Sequence, residues 1–160
     1  MNSAFAVGIV ATAVADLWGL ARKPLLGVPA PDYGLVGRWF GHMLRGQFRH
    51  TAMKAASPVH GELVIGWIAH YLTGIAFAGV LIAIGGHAWL HQPTIGTAMA
   101  VGIGSVVAPF LIMQPAMGAG FAASRTPNPG ASRVQSLLTH AAFGVGLYVG
   151  GWGWKLLHIE

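Results

Sequence analysis

Residues 61–85 read GELVIGWIAHYLTGIAFAGVLIAIG. Glu62 is the one charged side chain in the run, and His70 is the other ionisable group. A helix rises 1.5 Å per residue, so roughly 20 apolar residues cross the hydrocarbon core of a bilayer. A surface helix of a water-soluble protein would alternate an apolar stripe with a polar one, and this run is apolar all round. It therefore reads as a membrane span over about 61–85. Ser57-Pro58, just upstream, is expected to supply its cap and first helical residue.

Three further stretches meet the same requirement. One covers about 3–21 and stops at Arg22-Lys23-Pro24. One covers about 94–116, after Gln92-Pro93, and contains Pro109 and Pro115. The last covers about 133–156, after the breaker Thr126-Pro127-Asn128-Pro129-Gly130. The expected fold is all-α: an integral membrane four-helix bundle forming a single membrane domain over 1–160. The first stretch lacks a basic leader and a small-residue cleavage site, so it reads as a retained span.

Composition excludes the other classes. The chain is 54% hydrophobic and 8% charged, where a soluble domain carries about a quarter charged residues. There is no cysteine, hence no disulfide, thiolate ligand or cysteine nucleophile. The basic pI reflects scarce acids. It points to anionic lipid on one face and not to nucleic acid, because no basic run interleaved with aromatics sits on a soluble domain.

Charge placement sets the orientation. Arg22, Lys23, Arg38, Arg45, Arg49 and Lys54 lie between the first two spans, Arg125 and Arg133 between the last two, and none lies in 86–93. The positive-inside rule then puts the first and third loops in the cytoplasm and both termini outside. The expected location is the bacterial inner membrane. Trp89, Trp152 and Trp154 suit the outer interface, and Trp39 and Trp67 the inner one.

Within the cytoplasmic loop 22–57, residues 34–49 carry a helical period. Leu35, Val36, Trp39, Phe40, Met43, Leu44 and Phe48 recur at three and four, with Arg38, His42, Arg45 and Arg49 opposite. This predicts an amphipathic helix in the headgroup plane, with Arg38, Arg45 and Arg49 as lipid or anion contacts. A re-entrant element packed on the bundle is the alternative. Gly146-x-x-x-Gly150, Gly74-x-x-x-Ala78 and Ala15-x-x-x-Gly19 are small-residue faces, read chiefly as packing within the bundle.

Three ionisable residues fall inside the spans, where they are costly: Asp16, His70 and His140. By helical rise they lie about 9, 12 and 10 Å in from the nearest charged residue on their helices. Thr12 shares the face of Asp16, Thr73 that of His70, and Ser136 that of His140; the third span adds Ser105 and Gln114. Pro109 and Pro115 remove the hydrogen bonds to the carbonyls of Ser105 and Leu111.

The expectation is a cytoplasm-facing cavity that binds or permeates a small solute or proton, lined by Asp16, His70, His140, Thr12, Thr73, Ser136 and Gln114. One alternative is a haem or divalent-metal site using His70 and His140, with Asp16 for a metal. A second makes these groups interhelical hydrogen bonds that fix the bundle, Asp16 pairing with a histidine, and a third makes the chain a structural partner subunit of a membrane complex. His87 and His91 have metal-ligand spacing without carboxylates nearby. Nothing matches a P-loop or nucleophile elbow, and the chain reads as a non-enzyme. Partners are expected to be lipids, anionic on the cytoplasmic face, with a homo-oligomer or a second membrane protein on the protein side.

Several blocks carry a family resemblance: 8–18 (GIVATAVADLW), Gly37-Arg38-Trp39-Phe40-Gly41-His42, Arg45-Gly46-x-Phe48-Arg49-His50, Gly66-Trp67-Ile68-Ala69-His70-Tyr71, Gln114-Pro115-x-x-Gly118-x-Gly120, Ala122-Ala123-Ser124-Arg125-Thr126-Pro127, and Thr139-His140 before Phe143-Gly144-x-Gly146-Leu147-Tyr148. Together they resemble the bacterial membrane proteins of domain of unknown function 2938. The resemblance implies an inner-membrane protein and no particular activity.

Overall fold

The computed structural model describes residues 2–158, and every regular element among them is helical. In chain order these are α1 (Ser3–Leu26), α2 (Tyr33–Met43), α3 (Glu62–His91), α4 (Ile95–Gly104), α5 (Gln114–Ala116) and α6 (Pro129–Leu157). Single 3-10 turns lie at Met53–Ala55 and Phe121–Ala123, and a π-helical segment at Pro109–Met113. Three helical stretches are long and apolar enough to cross a membrane: Ser3–Leu26, Glu62–His91 and Ile95–Ala116. The fourth expected span falls within α6, which is long enough but less apolar. Arg133, Gln135, Ser136, Thr139 and His140 occupy its first half, and glycines and tryptophans its second.

Local chemistry moves several predicted boundaries. Pro24 lies inside α1, and the helix runs on to a left-handed Gly27, whose N–H bonds the Lys23 carbonyl at 3.0 Å. Ser57-Pro58 does not start α3. The helix begins at Glu62, whose side chain accepts the Val59 N–H at 2.9 Å, the reach-back half of a capping box. Gly86, with φ 66° and ψ 178°, ends the regular part of α3 and leaves 87–91 as a separate turn. The predicted helix 34–49 stops at Met43. Beyond a turn at 44–46, the backbone of His50 and Met53 donates to the carbonyls of Ala116 and Met117 at 2.7 and 3.1 Å. Those bonds hold an extended strap that a helix could not make.

The prolines of the third stretch produce the π segment. Pro109 and Pro115 cannot donate to carbonyls one turn back, and Gln114 N–H bonds Pro109 O across a wider turn.

The chain divides into two compact units. The first holds the residues up to Ala30, Tyr71–Ser105 and the residues from Leu137 on. Its core is Val7, Ala11, Ala15, Ala78, Leu81, Trp89, Leu90, Ala98, Val101, Phe143 and Leu147. Small residues bring its backbones together. A Cβ on Gly8 would stand 2.5 Å from Ile75 Cα, one on Gly146 2.7 Å from Ala11 Cα, and one on Gly102 2.3 Å from Gly144 Cα. The Gly146–Gly150 face is thus packed on α1 within the unit.

The second unit holds Pro31–His70 and Val106–Ser136, with Trp39, Met53 and Ala116 as its core. There α2 crosses the start of α3 at backbone contact. A Cβ on Gly37 would meet Glu62 O, and one on Gly66 would meet Tyr33 O, both under 3.0 Å. Ala122 and Ala123 hold positive φ (46° and 59°), a strained pair for residues with a Cβ. Arg133 Nε donates to Ala122 O at 2.8 Å and braces that turn.

Candidate functional site

Asp16, His70 and His140 are each bonded to a hydroxyl. In the first unit the Tyr71 hydroxyl donates to Asp16 Oδ2 at 3.1 Å. Asp16 is partly buried, in mid-α1. Also in the first unit, Ser105 Oγ and His140 Nδ1 are 2.7 Å apart. Ser105 is buried and donates its one hydroxyl proton to Gly102 O at 2.6 Å. Its oxygen is then the acceptor, which makes His140 Nδ1 the donor of that pair.

In the second unit His70 Nε2 meets the Tyr33 hydroxyl at 2.9 Å. The Tyr33 and His70 rings stack at 4.2 Å, and Trp67 lies 4.5 Å from Tyr33, so the imidazole stands in an aromatic corner. Asp32 caps α2 by accepting from Leu35 N–H at 3.4 Å, which sets Tyr33 as its first residue.

The remaining predicted site residues separate into three groups. Thr12 is buried, but its hydroxyl donates to Gly8 O at 2.8 Å on its own helix, and Gly74 packs against it. Thr73 is exposed on α3. Gln114 Nε2 lies 3.5 Å from Ser136 Oγ, the outer limit of a hydrogen bond, and its Oε1 is buried with no hydrogen-bond partner. Asp16 and His140 fall in the first unit, His70, Gln114 and Ser136 in the second.

The predicted lipid contacts also divide. Arg45 and Arg49 are exposed, beyond the end of α2. Arg38 instead forks onto Glu62, with Nε and Nη2 at 2.8 and 2.7 Å from the two carboxylate oxygens, and Nη1 reaches Ala56 O at 3.0 Å. That hydrogen bond to Glu62 raises the Arg38 pKa above its ordinary value. His42, on the same face, is buried and held by Gln47 and the Ser57 carbonyl at 3.0 and 2.9 Å. The basic side of α2, Arg38 and His42, is therefore packed on protein, while Phe40, Leu44 and Phe48 are exposed. Arg22, counted among the charges of the first loop, is 8% exposed and donates to Pro29 O.

Sequence reasoning named the ionisable groups and missed the tyrosines that hold two of them. The signal was present: Tyr71 follows His70 directly, and Tyr33 follows a helix cap. Among the described residues no three His, Cys, Asp or Glu side chains stand together as a metal site. His70 presents Nε2, the nitrogen a haem ligand would use, to Tyr33.

The profile of the family described as "Protein of unknown function (DUF2938)" matches residues 5–153. No curated protein and no solved structure matches the chain.

Proposed function

The chain belongs to DUF2938, a family whose description assigns no activity, and from that premise we propose that it is a bacterial inner-membrane protein that binds and passes protons or a small protonatable solute. The observation that carries this reading is the hydroxyl partner on each of three ionisable residues well inside the helices: Tyr71 on Asp16, Tyr33 on His70, Ser105 on His140. A hydroxyl both donates and accepts. It serves a carboxylate as donor and a carboxylic acid as acceptor, so a proton arrives or leaves without stranding a buried partner. Asp and His in membrane helices are the usual members of proton relays.

The membrane arrangement in this proposal has four spans, with α6 as the fourth. The arginine-rich segments 22–54 and 125–133 face the cytoplasm, where anionic lipid attracts Arg45 and Arg49, and both termini face outward. Exposed Leu17, Ile68, Leu72, Ile84, Val107, Val145 and Val149 supply the apolar surface that lipid requires.

Reconstitution in liposomes with an internal pH dye tests the function. A potassium-diffusion potential should drive proton entry, and Asp16→Asn or His140→Gln should reduce it to the protein-free rate while helicity and melting stay unchanged. Full flux in the Asp16→Asn, His70→Gln, His140→Gln triple variant ends the reading. The natural absence of cysteine makes the topology test clean. Ala88→Cys should react with an impermeant maleimide on intact cells, and Arg125→Cys should not.

A further inference from the structure

A cleft of about 420 Å³ opens in the first unit where α1 begins and where α3 and α6 end. That volume lies within the range of small-ligand sites, roughly 300–1,000 Å³. Its polar lining consists of Ser3, His87, His91, Lys155 and His158, and Trp154 adds an aromatic wall. Among the described residues no carboxylate lines it.

The chain builds this lining deliberately in the geometric sense. The break at Gly86 detaches 87–91 as a short turn, on which His87 and His91 share a face at i, i+4. Lys155 and His158 stand three apart at the end of α6. The His158 ring is fixed, stacked on Trp154 at 3.8 Å, with Nδ1 on the Trp154 carbonyl at 2.9 Å. The Lys155 ammonium lies 4.5 Å from the Trp152 ring centroid, and among the described residues no carboxylate pairs with it. The amino end of α1 contributes the positive pole of a helix dipole. Imidazole nitrogens and an ammonium thus converge, and among the described residues no carboxylate balances the positive charge.

We propose that this cleft binds a phosphate-type anion, either free phosphate or the phosphate of a lipid headgroup. A divalent metal fits less well, because the three imidazoles do not group as metal ligands among the described residues.

The test uses the purified full chain, with melting followed by tryptophan fluorescence and binding by calorimetry. One arm adds inorganic phosphate against chloride at matched ionic strength. The other compares bicelles containing phosphatidylglycerol with phosphatidylcholine alone. At least one arm should raise the melting temperature and show binding. The Lys155→Gln, His91→Gln double variant should weaken that binding by roughly tenfold or more, the scale of a lost charge-assisted hydrogen bond. Lys155→Arg should retain it, and Arg125→Gln, a cation elsewhere, should not affect it. Glu160→Gln, which removes the acid nearest in sequence, should strengthen binding or leave it unchanged. A response to phosphate alone assigns a soluble ligand, and a response to phosphatidylglycerol alone assigns a headgroup. No response in either arm, a response that survives the double variant, or zinc binding that the double variant abolishes overturns the proposal.

Discussion

Replacing Gly146 by alanine asks whether the small residues of α6 exist to admit α1. A Cβ at Gly146 meets Ala11 Cα and O at 2.7 Å and Val14 Cβ at 2.9 Å. Ordinary contact begins at 3.4 Å, so the two backbones must part by about 0.7 Å. A gap of that size forfeits about a quarter to a half of each dispersion contact across it. The contacts at risk are central, since Val7, Ala11 and Leu147 are fully buried. Overpacking of this kind costs about 1–3 kcal/mol, and the better helix propensity of alanine returns up to ~1 kcal/mol. Gly146→Ala should therefore lose about 1–2 kcal/mol. Gly153, on the same helix, is an internal control, because its Cβ would meet nothing within 4 Å. There only propensity acts, and Gly153→Ala should be neutral or up to ~1 kcal/mol more stable. The assay is loss of helical circular dichroism on titration with a denaturing detergent, both variants beside the parent. Equal stability of Gly146→Ala and Gly153→Ala would refute the packing argument.

In the second unit, Gly66→Ala should be more damaging than Gly146→Ala, about 3 kcal/mol or beyond, because its Cβ would meet the Tyr33 carbonyl oxygen far inside contact distance. The same titration measures it, and Trp67 emission should change as the Tyr33–His70 corner opens. Ser105→Ala should cost about 1 kcal/mol by removing the acceptor of His140 Nδ1; an unchanged nitrogen NMR shift at His140 would contradict the assigned pair. Glu62→Gln should lower the melting temperature, since an amide accepts from only one arm of the Arg38 fork. Melting equal to that of the parent would show that the fork does not hold α2.

The long apolar helices were readable because hydrocarbon imposes one blunt requirement, and runs such as 61–85 meet it residue by residue. Their ends were less readable, because neighbours in space decide them. Nothing near Phe48 says that the backbone of His50 will bond Ala116 in place of a helical partner. The same limit applied to the site. Helical rise set the places of Asp16, His70 and His140 along their helices, but place along a helix does not say which hydroxyl each one reaches. Arg38 shows the cost of reading charge by loop alone: its partner, Glu62, lies 24 residues away and opens a span. Arg22 shows it again, since a residue counted as a loop charge is folded against Pro29.

Acids are scarce enough in this chain to be considered one at a time. Asp32 and Glu62 stand at helix starts, where a carboxylate suits exposed N–H groups and the positive pole of the dipole. Helix capping and the Arg38 fork explain both in terms of folding alone. Asp16 stands in the middle of α1, far from either end, where it caps nothing and carries the desolvation cost of an apolar helix. Asparagine would accept the Tyr71 hydroxyl there as well and would avoid that cost. For the Tyr71 bond alone asparagine would serve at position 16, and the chain has aspartate. What aspartate adds is a proton that can be bound and released, and this is why Asp16→Asn separates function from architecture where Glu62→Gln does not.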